Sequence, residues 1–103
     1  MAAYMVALAK ITNFKPELKE YAQRSAAEMK KHGGVYIVRG PAAENVDGDI
    51  LGEMSAIVAE FPSMQDLQNY VQGDEYVNNI KPLREGTGEY HIGFYEELPE
   101  DQR

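Results

Sequence analysis

The chain has 103 residues, of which 44% are hydrophobic and 26% charged, and seventeen acidic against ten basic side chains give a formal net charge of −7. This length suits one domain and this composition is typical of an ordered globular protein. The acidic balance disfavours binding to nucleic acid or to an anionic membrane surface, and the lack of cysteine excludes disulfides and thiolate chemistry.

The N-terminal third predicts a strand followed by a helix. Residues Ala3 to Ile11 are mostly apolar, which fits a central strand buried on both faces. Pro16 suits a first helical turn, and Gly33-Gly34 is a typical stop after the helix. No basic leader precedes the strand, and no apolar run reaches the roughly 20 residues that cross a bilayer. We therefore expect a cytoplasmic protein that does not bind a membrane.

The middle third predicts a hairpin and the start of a second helix. Val35 to Arg39 and Gly52 to Phe61 are rich in β-forming residues, and Asn45 to Asp49 supplies the turn residues between them. Ser63 with Asp66 three residues later is a variant of the capping box, which indicates where the second helix begins.

The last third predicts a short helix, a fourth strand and a tail. Asp74 can cap the short helix, which Pro82 ends. Glu89 to Glu96 is the fourth strand, and the polar residues 97–103 are expected to form a frayed acidic tail. The order β-α-β-β-α-β predicts one α+β, ferredoxin-like domain over residues 1–96, a sandwich with a four-stranded antiparallel sheet in the order 4-1-3-2.

Three motifs resemble those of a known family. They are Gly33-Gly34-Val35-Tyr36-Ile37-Val38-Arg39-Gly40, then Glu60-Phe61-Pro62-Ser63-Met64, then Glu75-Tyr76 leading to Ile80-Lys81-Pro82-Leu83-Arg84. In this order and spacing they resemble the bacterial domain-of-unknown-function family 1330, of the dimeric α/β-barrel group. The resemblance spans nearly the whole chain and implies a ferredoxin-like subunit whose open sheet face meets a second copy, but no reaction. The chain departs from the family pattern at Asn69-Tyr70-Val71 and at Pro41, so pocket walls built there would differ in shape.

The apolar pattern of the strands independently predicts a homodimer. Helices on one face of a four-stranded sheet leave the other face uncovered. Three strands carry apolar residues at both parities, namely Met5 and Val6, Ile57 and Val58, and Ile92 and Phe94. An exposed patch of this size is larger than monomers tolerate, so we expect a second copy to cover it.

Several basic side chains are expected at one edge of the sheet, where two strands end and two begin. The residues that this topology brings there are Lys10, Arg39, Gly52 and His91, with Arg84 from the second helical segment. The first helix also starts at this edge, and its free N–H groups favour an anion. The pattern predicts a binding site for a small anionic molecule. The alternative is ordinary surface pairing of the arginines with loop carboxylates, namely Glu44, Asp49 or Glu85.

Three residues near these elements are further candidates. His91 and Tyr76 are the groups that could transfer a proton, although a lone strand histidine and a buried tyrosine are also common structural residues. Glu60 lies at the opposite edge from Arg39, so the two could pair only across a dimer. Glu60 could equally be an ordinary charge at a strand end.

The sequence predicts neither a metal nor a cofactor. The two histidines lack zinc-site spacing, Asp47-Gly48-Asp49 lacks the later ligands of a calcium loop, and no glycine-rich loop has nucleotide-binding spacing. Two functions stay open. One is a cofactor-independent enzyme acting on a small anionic or phenolic molecule, similar to the monooxygenases, isomerases and degradative enzymes that share the dimeric barrel. The other is a non-catalytic module that binds a ligand or a partner.

Overall fold

The computed structural model describes residues 1–103, and their strands form one antiparallel sheet in the order β2-β3-β1-β4. The strands are β1 (Ala3–Ile11), β2 (Val35–Pro41), β3 (Ser55–Phe61) and β4 (Gly88–Glu96), and the helices are α1 (Glu17–Lys31) and α2 (Met64–Val71). The predicted α+β class, ferredoxin-like element order and strand order are confirmed.

Two segments differ from the sequence prediction. The third strand begins at Ser55 rather than Gly52, because Leu51–Glu53 forms a short 3₁₀ turn. The segment after α2 is one turn of π-helix, Tyr76–Ile80, followed directly by a 3₁₀ turn, Lys81–Arg84. We call these two the π turn and the Arg84 turn. Pro82 lacks the N–H that a longer α-helix would need, so the chain tightens there instead.

The helix ends follow from local chemistry. The Ser63 hydroxyl accepts the backbone N–H of Asp66 at 3.1 Å and donates to its carboxylate at 2.8 Å. Ser63 thus caps α2 where the sequence predicts, although the Asp66 carboxylate bonds the Ser63 hydroxyl and not the backbone N–H that a full capping box uses. Lys30 and Lys31 lie in the last turn of α1, where they complement the negative end of the helix dipole. Gly33 follows with a φ of 81°, the left-handed conformation that ends helices.

Both helices cover the same side of the sheet, which we call the helix face. Alternate residues of β1, Ala3, Met5 and Ala7, are buried there. The core between sheet and helices consists mainly of Ala3, Met5, Met29, Ala59, Phe61, Leu67, Tyr70, Tyr76 and Ile80. Side chains alternate along a strand, and paired residues of neighbouring strands point to the same face. The residues of β4 that pair with Met5 and Ala7 therefore also face the helices.

The opposite side of the sheet, the open face, has no covering element. Val6 and Leu8 of β1 point to it and are only half-buried. Within one subunit β1 is therefore buried on one face, not on both as its apolar run predicts. The outer strand β2 adds exposed apolar side chains, with Val35 at 62% and Val38 at 46% exposure.

The C-terminal residues 97–103 are mostly exposed, but they are tied to the start of β1. The backbone N–H of Glu97 donates to the carbonyl of Ala2 at 3.0 Å, and the N–H of Ala2 donates to the Glu97 carboxylate at 2.9 Å. Arg103 pairs with the same carboxylate at 2.8 Å. The tail is thus anchored rather than frayed, because paired backbone groups hold its first residue. None of the helices has both the length and the hydropathy needed to cross a bilayer.

Candidate functional site

A groove of about 560 Å³ opens on the helix face between β4 and the π turn. We call it the β4 groove. Its lining includes Tyr90, Ile92 and Phe94 from β4, Tyr76 and Val77 from the π turn, and Lys81 and Arg84 from the Arg84 turn. Most of these side chains are apolar or aromatic, and sites for small molecules are typically clefts of roughly 300 to 1,000 Å³ with such linings. The groove therefore has the size and lining of a small-molecule site.

The register of β4 against β1 explains the floor of the groove. Phe94 lies opposite Met5 and Ile92 opposite Ala7, so both point to the helix face. Because β4 is an outer strand, the helices do not cover it fully, and Ile92 keeps 37% of its surface exposed. The result is an apolar floor that solvent and small ligands can reach.

Arg84 is a charged group of the groove that has no carboxylate partner. Its guanidinium carbon lies 4.4 Å from the centre of the Tyr90 ring, a cation–π contact. It forms no ion pair, so the alternative of pairing with Glu85 is not observed. Its Nε is buried without a hydrogen-bond partner. A guanidinium with free donors beside an apolar floor is suited to bind an anionic group.

Tyr76 lies at the inner wall of the groove and is paired with another phenol. It is 3% exposed, and its hydroxyl oxygen is 2.6 Å from that of Tyr21 in α1. Burial raises the pKa of Tyr21 far above its usual value, and neighbouring Tyr76 raises it further. Burial likewise raises the pKa of Tyr70, whose hydroxyl donates to the carbonyl of Ser25. Tyr21 and Tyr70 thus stay protonated near pH 7 and are not bases.

Lys10 and His91 lie elsewhere, in a second pocket of about 550 Å³ on the open face. Carboxylates of Glu53 and Glu89 also line this pocket. The Lys10 ammonium is 3.1 Å from the Glu53 carboxylate, so its charge is already paired. His91 is exposed there and does not reach the β4 groove. We call this second site the open-face pocket.

Arg39 lies apart from both pockets. It pairs in register with Ile57, which puts it on the helix face of β2, and its guanidinium carbon is 4.7 Å from the centre of the Tyr36 ring. Since β2 and β4 are the two outer strands, Arg39 and Arg84 are at opposite margins of the sheet.

The expected convergence of four basic side chains is therefore not observed. Topology brings the strand ends to one edge as predicted, but alternation turns Lys10 and His91 to the open face, whereas Arg39 and Arg84 lie on the helix side. Of the residues singled out in the sequence, Arg84 and Tyr76 share the β4 groove, whereas Lys10 and His91 share the open-face pocket.

Glu60 lies on the open face at the other end of the sheet. Its carboxylate accepts the hydroxyl proton of Tyr4 at 2.9 Å, and this hydrogen bond is the main reason why the pKa of Tyr4 is raised. Arg39 is on the opposite face, so no pair between them forms within the subunit. A role for Glu60 in ligand binding or across a dimer stays a prediction.

Tyr90 and Thr87 belong to the surroundings of Arg84 but were not among the residues predicted from the sequence. The segment Gly86-Thr87-Gly88 reads as a turn, and nothing local shows that Thr87 is fully buried. Tyr90 was within reach of sequence reasoning, because Tyr90, Ile92 and Phe94 alternate and must share a face. No cluster of three or more histidine, cysteine, aspartate or glutamate side chains with metal-binding geometry occurs in the chain.

Comparison with known proteins gives a family and a fold. The sequence profile of the family described as "Domain of unknown function (DUF1330)" matches residues 2–98. A protein of unknown function from Rhodopseudomonas palustris has a similar structure, with a TM-score of 0.73 and 15% identity over 95% of this chain and 83% of that chain. No curated protein matches significantly.

Two further solved structures have the same fold. SnoaB, a cofactor-independent oxygenase from Streptomyces nogalater, has a TM-score of 0.63 and 11% identity, covering 95% of this chain and 94% of its own. A conserved protein from Methanosarcina mazei has a TM-score of 0.60 and 20% identity, with coverage of 95% and 94%. At these identities the likeness establishes the fold alone.

Proposed function

The chain belongs to the DUF1330 family, and for this member we propose that the β4 groove binds a small anionic or phenolic molecule and that the protein converts it without a cofactor. The observation that carries the proposal is the state of Arg84. It is a cation without a carboxylate partner, stacked on Tyr90 at the margin of an apolar groove, in a chain whose net charge is −7.

The groove offers one place for charge and another for the body of the ligand. The Arg84 guanidinium would take the anionic group, since charge-assisted hydrogen bonds are about twice as strong as neutral ones. Ile92 and Phe94 would contact the apolar part. In a site shielded from water, the same guanidinium would stabilise negative charge that develops on a substrate oxygen.

Tyr76 is the group that we assign to proton transfer in this proposal. It lines the groove, and its hydroxyl is bonded to that of Tyr21, through which a proton can be replaced. His91 receives no role, because it lies on the other face of the sheet. SnoaB, which is a cofactor-independent oxygenase with this fold, supports the idea that such a scaffold works without a cofactor.

One observation favours the alternative, a non-catalytic binding module. The hydroxyls of Tyr21 and Tyr76 are hydrogen-bonded to each other, so the one that donates has no proton left for a substrate. Incubation separates the two functions. A compound that binds the groove and is chemically changed afterwards supports the enzyme, whereas one recovered unchanged supports the binding module.

Thermal unfolding with different anions tests the groove itself. Benzoate or sulfate should raise the melting temperature of the parent more than chloride does at equal ionic strength, because a ligand that binds only the folded state stabilises it. Arg84→Gln should abolish this difference. Arg39→Gln is the matched control, since it removes the other arginine that stacks on a tyrosine but lies outside the groove. Equal responses of the parent and Arg84→Gln would overturn the proposal.

We also propose that the protein is a homodimer joined through its open faces. A two-fold axis would lay the apolar centre of one open face, around Val6, Leu8 and Val58, on the same centre of its partner. Helices already cover the other face, so a second copy is the simplest self-complementary cover. The β4 groove is on the helix face and would stay accessible in this dimer, whereas the open-face pocket would be enclosed.

A further inference from the structure

We propose that the buried hydroxyl of Thr87 acts through Tyr90 as a positioning device that presents Arg84 end-on to a carboxylate. This inference rests on the proposed function of the β4 groove and names its ligand class. Thr87 is 0% exposed, and its side-chain oxygen contacts two groups, the carbonyl of Arg84 and the hydroxyl of Tyr90.

The direction of the hydrogen bonds follows from the chemistry of these groups. A carbonyl oxygen only accepts, so the single hydroxyl proton of Thr87 goes to the carbonyl of Arg84. The 2.5 Å contact between the oxygens of Thr87 and Tyr90 must then use the proton of Tyr90. The order is Tyr90 to Thr87 to the Arg84 carbonyl. Tyr90 consequently has no proton left for a ligand, and its ring is fixed at its hydroxyl end.

Thr87 is itself attached to the central strand. Its carbonyl accepts the backbone N–H groups of Thr12 at 2.9 Å and Asn13 at 3.0 Å, directly after β1. Its own N–H donates to the carbonyl of Arg84 at 3.3 Å. The Arg84 backbone and the Tyr90 ring are thus both tied to one buried residue that the sheet holds in place. This is the kind of support that keeps a binding group in its productive geometry before the ligand arrives.

The surroundings of the guanidinium leave one edge for a ligand. The Tyr90 ring covers one of its faces at 4.4 Å, and its Nε is buried. The two terminal nitrogens have no protein partner and are not buried, so they form the available edge. Two parallel N–H groups on one edge match the two oxygens of a carboxylate. A phosphate has a third free oxygen and needs hydrogen-bond donors from further directions. The groove has one other cation, Lys81, and its side chain is exposed.

Three probes of similar size test the ligand class: benzoate, its neutral analogue benzyl alcohol, and phenyl phosphate. Dissociation constants are measured by NMR titration of the full chain. The parent should bind benzoate more tightly than either other probe, and Arg84→Gln should weaken benzoate by roughly 10- to 100-fold, the range for hydrogen bonds to a charged group. Phenyl phosphate binding more tightly than benzoate, or no benzoate binding by the parent, would overturn the carboxylate assignment.

Three substitutions test the positioning role. Thr87→Val keeps the shape but removes the hydroxyl, and Tyr90→Phe keeps the ring but removes its proton. Each should weaken benzoate by roughly two- to tenfold, the scale of one hydrogen bond, with benzyl alcohol unchanged. Thr87→Ser, which keeps the hydroxyl, should bind like the parent. A merely structural defect would weaken both probes together.

The outcomes separate the two proposals. If Arg84→Gln loses benzoate while Thr87→Val and Tyr90→Phe bind both probes like the parent, the positioning role is wrong and the anion site stands. If Arg84→Gln itself binds like the parent, the proposed function fails and this inference fails with it. Should Thr87→Val not fold, Tyr90→Phe decides, because it removes only one hydroxyl from a half-buried side chain.

Discussion

Several tyrosines of this protein have hydroxyl groups that are largely buried. Tyr21 and Tyr70 have strongly raised pKa values, chiefly because burial disfavours the phenolate. Their rings pack with Tyr76, whose ring centre lies 6.3 Å from that of Tyr21 and 5.3 Å from that of Tyr70. Tyr76 lines the β4 groove, and Tyr21 and Tyr70 lie behind it.

The raised pKa values predict alkaline instability. An unfolded tyrosine ionises at a pKa of about 10, whereas Tyr21 and Tyr70 stay protonated in the folded state. Above that pH the unfolded state binds fewer protons than the folded state, so the free energy of unfolding should fall as pH rises and be unaffected by these groups below it. Urea unfolding between about pH 8 and pH 11 measures this, with Tyr21→Phe and Tyr70→Phe as controls. A parent and variants that decline in parallel would contradict the assignment.

The positions and contacts of single residues were only partly predictable from the sequence. Ser63 and Asp66 are three positions apart, so their capping bond is a local matter and was predicted correctly. Arg84 contacts Tyr90 and Thr87, and these contacts depend on packing of segments that the local sequence does not reveal. Lys10 and Arg39 were assigned to the correct edge, but strand ends alone do not say which face a side chain takes.

At the scale of elements, β1 and β4 approach each other closely where β4 begins. Gly88 pairs with Ile11, and a Cβ built on Gly88 would be 2.0 Å from the carbonyl oxygen of Lys10. The backbones of two paired strands cannot move apart without breaking the hydrogen bonds between them. Only glycine fits at this position, directly after the residue that supports Arg84.

Gly88→Ala should therefore destabilise the fold. We expect a loss of about 2 kcal/mol or more in the free energy of unfolding, on the scale of other overpacking substitutions. The matched control is Gly52→Ala, because its Cβ would meet only the side chain of Asn45, at 3.2 Å, in an exposed loop. Chemical denaturation measures both variants. A Gly88→Ala protein as stable as the control would show that β1 and β4 approach less closely than described.

The elements themselves were largely readable from the sequence. The apolar run of β1 and the spacing in α1 gave the correct elements because these signals are local. The sequence predicts an ordinary short helix where the π turn is observed. The wider turn of Tyr76–Ile80 places both Tyr76 and Ile80 in the core, and no local sequence signal indicates it. The predicted start of β3, Gly52, is three residues before the observed start, Ser55. Leu51–Glu53 forms a 3₁₀ turn directly before the strand, and the sequence does not mark where the turn ends.

At the scale of the whole molecule, the two faces of the sheet differ in what covers them. The helix face supplies the core and the β4 groove, and the open face supplies the proposed dimer contact. In the sequence, apolar residues occur at both odd and even positions of the strands. In the fold, one of these two sets points to the helix face and the other to the open face. Joining the open faces would leave the groove of each subunit open to solvent.

Sedimentation at micromolar concentration tests the dimer. The parent should sediment with twice the subunit mass of 11.6 kDa. Val58→Asp should shift it toward the monomer, because Val58 lies between Val6 and Val38 at the centre of the open face, where a carboxylate would be buried unpaired. Val46→Asp, at a loop residue that is 85% exposed, is the control and should stay dimeric. A parent that sediments as a monomer would refute this assembly.

Mapping where a small aromatic carboxylate binds tests the proposed β4 groove site most directly. Titration of the isotopically labelled protein with benzoate should shift the NMR signals of the π turn, the Arg84 turn and β4 from Tyr90 to Phe94, together with the Arg84 side chain. Signals around Lys10, His91 and Arg39 should stay in place. Shifts centred on Lys10 and His91 in the open-face pocket, with the Arg84 signals unchanged, would contradict the account.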